Sequence, residues 1–488
     1  MVGLEKLLIP VKESDLTLEK IVQYLPAIMS TFQANANKIA DNYEEYKGEH
    51  SAVLNKVRQY EDETVNNQVI MQNLWAMVNF KCGYEFGKPI SFSAKSDNNA
   101  EMEVFNRYMT SVEFNKIMNN VAEWIFAGGV GYTFTLPAKS PDLNYYAPFE
   151  SYYLRADRCA KVYSSYLAEK PLFDLIVTPI SKLVNKDLID YYILSVYTKD
   201  AYYEFEFNTT LNSLNSEPIR QETRGAYSML PLVEFCAYAD KISIVESCKS
   251  SQDALDNLIS CGVDNVEETA NQLLIFRNCS LGETEEDKRE TLANAKKFGA
   301  LEIFDNGKDI EAEVKTLTTI INHSDTNVLI NYILGQMYGN WGVPLASSSV
   351  SSGNITQAGG EVANGWQNAF SVAQKELSNI LPSIKQLLSQ YFAICKQIGD
   401  CPIQTLNEND MEIKPTIARS ENLLTKTQAF TNLVEHNVPY ATAWETCELS
   451  GDANAIGSAI DEREKYINSQ KADNIGASES QQKITQNI

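Results

Sequence analysis

Apolar residues recur at three- and four-residue steps early in the chain, and the period shortens to two past residue 130. Between Asn66 and Lys81, Val69, Ile70, Leu74, Met77 and Val78 fall on one helical face, which predicts a helix closed by Gly83. A shorter helix is expected around Leu16–Phe32, and residues 43–125 are largely helical in pattern. Val104, Phe105, Tyr108, Phe114, Ile117, Met118, Val121, Ile125 and Phe126 predict one amphipathic segment over 102–126, ended by Gly128-Gly129. From Gly131 to Phe235 aromatic and β-branched residues alternate or cluster, as in Gly131–Leu136, Tyr191–Tyr197 and Tyr202–Phe207. Turn-rich pieces such as Asn208–Glu217 separate them, so this stretch reads as antiparallel strands whose tyrosines serve sheet packing.

Helix returns over 241–277. Ile244, Cys248, Leu255, Ile259, Val266, Ala270 and Leu273 form its apolar stripe, and Glu246, Asp253, Asp256, Asp264 and Glu267 occupy the remainder. At about 1.5 Å per residue it would span roughly 50 Å, with Gly262 as the place for a bend. A mixed stretch, Cys279–Thr316, carries a charged run over 283–290 and strand-like pieces at 301–304 and 312–317. A second apolar helix follows the start signal Asn322–Asp325, with Val328, Leu329, Tyr332, Ile333, Met337 and Trp341 inside it. Two helices thus flank a small α/β insert. Pro344–Gln357 is uncharged and serine-rich and reads as a polar loop. A long helix is expected over 361–396, interrupted and kinked at Pro382, where a backbone hydrogen bond is lost. A strand at 411–417, helices at 421–435, 440–447 and 453–469, and a polar tail complete the α+β pattern.

At 488 residues the chain exceeds one ordinary core, and roughly two to four domains are expected. No apolar run approaches the ~20 residues of a membrane span, and the N-terminus lacks signal-peptide character, so a cytoplasmic start is expected. Nine cysteines are scattered without a Cys-x-x-Cys pair, and the three histidines are His50, His323 and His436. Buried thiols are expected, not disulfides or zinc. The net charge of -23 speaks against a tight or sequence-specific nucleic-acid binder, whose affinity comes from Lys and Arg on phosphate. It is compatible with a conduit, whose wall must let a polyanion slide.

Catalytic constellations are missing from the sequence. It has no Gly-x-x-x-x-Gly-Lys-Ser/Thr, no Gly-x-Ser-x-Gly and no His-Glu-x-x-His. Glu44-Glu45 and Glu267-Glu268 are adjacent and diverge on a helix. A non-enzymatic protein without cofactor or metal is expected.

Several stretches, in order, resemble portal proteins of long-tailed (siphovirus-type) double-stranded-DNA bacteriophages. Tyr43-Glu-Glu-Tyr46-Lys-Gly48-Glu-His50, Asn66-Asn67 and Lys81-Cys-Gly83-Tyr84-Glu-Phe86-Gly87-Lys-Pro89-Ile90 are similar to the family's N-terminal signature. Trp124–Gly131 resembles the turn opening its wing sheet, and Met229–Phe235 the strand before its first stem helix. Thr416–Leu424 and Asn437–Trp444 are similar to its helical crown.

The resemblance implies an α+β portal fold. It implies a wing (1–240), stem helix 1 (241–277), a clip (278–317), stem helix 2 (318–342) and a tunnel loop (343–357). A kinked helix with the wing return (358–417) and a crown with its tail (418–488) follow. It further implies rings of about twelve copies, assembled in the host cytoplasm and placed at the capsid portal vertex. The implied partners are the terminase large subunit, a neck adaptor, major capsid and scaffolding proteins, and double-stranded DNA passing without sequence preference. Ser347, Ser348, Ser349, Ser351, Ser352 and Asn354 would then lie nearest DNA. Glu246, Asp253, Asp256, Asp264 and Glu267 would line the channel, and Lys288, Arg289, Lys296 and Lys297 would dock partners at the clip. The alternatives are another head–neck protein, such as an adaptor or scaffold-associated protein, and a hydrolase. Adaptors are shorter and mostly helical, which the strand-rich middle disfavours.

Hydroxyls and backbone amides contact phosphates weakly and without base preference, as a sliding contact requires. Replacing Ser347–Ser352 with lysines is therefore expected to slow or arrest DNA packaging in vitro while rings still assemble. Wild-type packaging rates would remove the loop from the mechanism.

Overall fold

The computed structural model describes residues 3–56, 66–94, 99–139, 141–184, 187–208, 217–224, 229–270, 273–277, 284–290, 313–317, 323–345, 365–417, 423–436 and 438–447. The chain divides into two units, 1–418 and 419–488.

The first unit begins with a short strand, β1 (Leu7–Ile9), and a 30-residue helix, α1 (Leu18–Lys47). Thr17 caps the helix by accepting from the Lys20 N–H, and Gly48 closes it in the left-handed conformation at φ 100°. The helix outruns the expected Leu16–Phe32 because Ala36, Ile39 and Tyr46 continue to bury one face. A short turn of helix, α2 (Ser51–Leu54), follows. Helix α3 (Asn73–Phe86) starts later than expected and passes through Gly83. Lys81, Tyr84, Glu85 and Phe86 are all buried there, and that packing overrides the glycine's weak helix propensity. Strand β2 (Ser91–Ala94) precedes two helices, α4 (Asn99–Ser111) and α5 (Phe114–Gly128), where one segment was expected. The break falls at Glu113, whose φ of 53° no helix accommodates. Gly129 ends α5 at φ 93°, and a Cβ there would come within 2.2 Å of the Lys241 carbonyl oxygen.

Eight strands follow: β3 (Gly131–Pro137), β4 (Phe149–Leu154), β5 (Cys159–Ser164), β6 (Pro171–Val184), β7 (Asp187–Tyr197), β8 (Ala201–Asn208), β9 (Arg220–Thr223) and β10 (Leu232–Phe235). They form a six-stranded sheet, ordered β1-β5-β6-β7-β8-β9, and a three-stranded sheet, β10-β3-β4. Every pair is antiparallel except β1 with β5. Helix α1 covers one face of the larger sheet, where Ile21, Leu25, Met29 and Phe32 pack on Val162, Phe173, Leu194 and Phe205.

Helix α6 (Ile244–Ala270) is shorter than the expected 241–277. Leu273–Arg277 is strand β11, paired antiparallel with β12 (Glu313–Leu317). Short apolar runs of this kind satisfy either period, and cross-strand pairing decides. Helix α7 (His323–Asn340) follows, then α8 (Trp366–Gln397). The expected interruption at Pro382 does not occur, and α8 is helical across it. Side chains flanking the proline hold the helix to the incoming chain: Asn379 donates to the Ala237 carbonyl at 2.7 Å and Ser383 to that of Glu234 at 2.7 Å. Strand β13 (Met411–Lys414) returns to pair with β2. The main core lies among α3, α4, α5, α8, β10 and the start of α6, and includes Phe105, Phe126, Phe235, Ile244, Leu387 and Phe392. The second unit contains α9 (Leu423–Glu435) and α10 (Tyr440–Thr446), joined by an edge-to-face contact of Phe430 with Trp444. The helix expected at 453–469 and the strand expected at 301–304 lie outside the described residues.

A buried charge pair links the two sheets. Lys161 on β5 donates to Asp174 Oδ1 on β6 and to the Leu232 carbonyl on β10, both at 2.8 Å, and Asp174 Oδ2 accepts the Leu232 N–H at 2.8 Å. Burial pushes the Asp174 carboxyl up, while Lys161 and the Leu232 N–H pull against it. Removing one member of such a pair leaves an uncompensated buried charge. Asp174→Ala is expected to cost about 3–5 kcal/mol in denaturant unfolding, much of it restored by adding Lys161→Met. A cost within experimental error would show that the pair does not hold the sheets together.

Candidate functional site at the root of the paired helices

Gln252, Asp256, Ser260 and Asp264 recur at four-residue steps along α6 and so share one face. Against this face the chain from Asn67 to Met71 runs in the opposite direction. Asp264 Oδ1 accepts the Asn67 N–H at 2.7 Å, Ser260 Oγ accepts the Val69 N–H at 3.0 Å, and Asp256 Oδ1 accepts the Met71 N–H at 2.8 Å. The Gln252 amide donates to the Met71 carbonyl and to Asp256 Oδ1, both at 2.7 Å. Four helical residues rise about 6 Å and two extended residues about 6.6 Å. The two repeats therefore stay in register over two periods.

The ladder continues into the N-terminal helices through His50, which is fully buried. Its Nδ1 lies 2.5 Å from Asp256 Oδ2 and its Nε2 3.1 Å from the Glu45 carbonyl oxygen. The Glu45 carbonyl only accepts, so Nε2 donates, and a proton on Nδ1 as well gives an imidazolium facing Asp256. Burial pulls the His50 pKa down, but the Asp256 hydrogen bond and the charges of Asp256 and Glu45 more than offset it, and the net shift is upward. Lys249 on α6 pairs with Glu45 at 3.0 Å, and Lys38 on α1 pairs with Glu246 at 2.8 Å. Toward α7, Trp341 Nε1 donates to Ser247 Oγ at 2.6 Å and Tyr338 to Asn73 Oδ1 at 3.2 Å.

These contacts correct part of the expected channel lining. Asp256 and Asp264 are buried and bonded to the 67–71 segment, not turned to water. A side chain on the polar face of a helix faces solvent only where no other segment covers it, and here one does. Glu246 is half-buried in its ion pair. Asp253 is half-buried, and burial first, then the nearby Glu45 charge, push its carboxyl up. Glu267 is exposed and accepts from the Asn67 amide at 2.9 Å. Lys288 and Arg289 are exposed on a helical turn over 285–290. Lys296, Lys297, Ser347, Ser348, Ser349, Ser351, Ser352 and Asn354 lie outside the described residues. Pro382 lies within continuous α8. The ladder residues His50, Gln252 and Ser260 were not among the expected site residues, although the Gln-Asp-Ser-Asp step of four is present in the sequence.

Apolar side chains of both helices are left to solvent: Val266 is 61% exposed on α6, and Val328 and Tyr332 are 68% and 65% exposed on α7. Among the described residues no helix is long and apolar enough to cross a membrane, and no His, Cys, Asp and Glu cluster could hold a metal ion.

Residues 28–358 match the family model of phage portal proteins of the SPP1 Gp6-like type, and the chain belongs to that family. It is accordingly a phage structural protein of the capsid vertex. Among solved structures it is similar to a chain from the neck of an empty GTA particle computed with C6 symmetry. Identity is 11% and the TM-score 0.43, over 77% of this chain and 90% of that chain. A comparison with curated proteins finds no match.

The His50 geometry sets a pH dependence. Its folded pKa lies above the unfolded value of about 6.5, so its contribution is complete below that value and is lost as pH rises through the folded one. Unfolding stability is expected to fall over that rise in the wild type, and this component of the fall should vanish in His50→Gln. An identical pH slope in both proteins would refute the imidazolium.

Proposed function

We propose that copies of this chain close into a ring with α6 and α7 around a central passage. Through it, double-stranded DNA enters the head during packaging and leaves at ejection, and the ring joins head to neck at the capsid vertex. The observation that carries this reading is the apolar surface that one chain leaves on α6 and α7, at Val263, Val266, Val328, Leu329 and Tyr332. Contiguous apolar surface marks an interaction site, and a closed ring covers the same patch on every copy.

The remaining roles follow from the same reading. The serine-rich loop at 343–357 touches DNA through hydroxyls and amides, without the steep salt dependence of lysine contacts. Lys288, Arg289, Lys296 and Lys297 present positive charge to the terminase motor and then to a neck adaptor. Capsid and scaffolding proteins meet the strand-rich part. With Asp256 and Asp264 committed inside the chain, the repulsion that keeps DNA sliding comes from the overall charge of -23 rather than from those two carboxylates.

Electron microscopy of the purified chain is expected to show rings with a central hole. Val328→Glu with Tyr332→Glu should yield monomers that still unfold cooperatively, because both side chains are solvent-exposed in the single chain. Solitary wild-type monomers at assembly concentration, with no hollow oligomer in capsids, would sink the proposal.

A further inference from the structure

Lys81 and Glu85 on α3 and Glu376 on α8 meet where all three side chains have no solvent exposure. Lys81 Nζ lies 2.9 Å from Glu85 Oε1 and in close contact with Glu376 Oε2. The ammonium also stands over the Phe126 ring of α5, 5.6 Å from its centroid. From the chain entering α6, Tyr238 donates to Glu376 Oε1 at 2.8 Å, and the exposed Lys375 lies over the Tyr238 ring, 5.5 Å from its centroid. Apart from these charge contacts, no further donor in hydrogen-bonding geometry reaches the two oxygens that Lys81 Nζ contacts, or Glu85 Oε2, among the described residues.

The charge count does not close. One ammonium faces two carboxyls, and a second ionised carboxylate would carry an unbalanced charge into a site with no water contact. Such a charge is costly enough that the group takes up a proton instead. We propose that this cluster is a proton-binding site, in which the Glu85 carboxyl keeps its proton at neutral pH and the balanced set joins α3 to α8.

The other titratable groups facing the cluster leave the proton with Glu85. The Tyr238 hydroxyl and the Cys82 thiol are both pushed up by burial, with Glu376 and Glu85 adding to the first and Glu123 and Glu85 to the second, so both stay neutral. Lys81 is pulled down by burial and raised beyond that by the two carboxyls, so it stays charged. Glu376 receives the tyrosine hydrogen bond and the closer ammonium contact. Burial raises Glu85 most; Lys81 pulls it down and Glu376 pushes it up again, and it ends well above the usual carboxylate range.

The joint holds while the proton is present. Because the folded pKa of Glu85 exceeds the unfolded one, its contribution is complete at low pH and is lost as pH rises through the raised value. Release of the proton places a second negative charge beside Glu376 and loosens α3 from α8.

Infrared difference spectra of the purified full-length chain test this at about pH 8, where ordinary carboxyls of pKa about 4 are ionised. A protonated-acid carbonyl band is expected in the wild type and lost in Glu85→Gln. That variant, which mimics the protonated acid, should also match the wild-type melting temperature near pH 4 and lack the decline that the wild type shows as pH rises from the unfolded carboxyl value of about 4.3 toward the raised one. Absence of the band in the wild type, or a band unchanged by Glu85→Gln, overturns the proposal. If Glu85→Gln does not fold, titration of the wild type decides: a band that bleaches only at alkaline pH supports the site, and no such band rejects it.

Discussion

An α-helix offers a side chain on one face about every 6 Å, and an extended chain offers an outward N–H about every 6.6 Å. The root of α6 depends on this near-coincidence. Asp264, Ser260 and Asp256 take up the amides of Asn67, Val69 and Met71 in turn, and the match fixes where the 67–71 segment can lie. With that segment fixed, α3 starts at Asn73 and carries Leu74, Met77 and Val78 into the core. His50 carries the same constraint to the end of α1, because one imidazolium bonds Asp256 and the Glu45 carbonyl together. Apolar packing supplies most of the stability, but it is indifferent to register. The ladder is what selects one.

The acidic composition looks different once the partners are known. Asp174, Glu234, Asp256, Asp264 and Glu376 each accept from a defined donor inside the fold. Glu234 and Asp256 each serve three partners. Glu234 accepts from Tyr132, Tyr163 and Lys241, and although burial alone would raise its pKa, Lys241 and its other partners hold it below the usual carboxylate value. Buried ion pairs contribute modestly to net stability because desolvation consumes most of the Coulombic gain. Their effect here is geometric: each allows one arrangement of the elements it joins.

Much of the architecture was legible in the residue pattern. The helix–strand–helix succession, the two helices around an insert, and the Gly128-Gly129 stop all follow from periodicity and glycine chemistry. The misreadings have specific causes. Gly83 does not stop α3 because four of the last six residues of that helix are buried. Leu273–Arg277 reads as helix until Glu313–Leu317, distant in sequence, pairs with it. The acidic residues of α6 were recognised as chemically important, but periodicity reports only that a face is not apolar. It cannot report that Asn67, 197 positions away, covers that face. Family membership was legible from several weak motifs taken in order, none of which was sufficient alone.

The chain from Leu230 to Ser243 leads from the strands into α6, and it is gripped from several sides. Gln390 holds the Leu230 carbonyl, Lys161 and Asp174 hold Leu232, Asn379 holds the Ala237 carbonyl, and Ser383 holds that of Glu234. Ser243 caps the following helix through the Glu246 N–H. Tension along α6 would therefore meet many bonds loaded side by side in shear rather than a seam opening one bond at a time. Strain at the helix would be distributed to both sheets and to α8 together, and the lead-in would behave as a stiff coupling instead of a hinge.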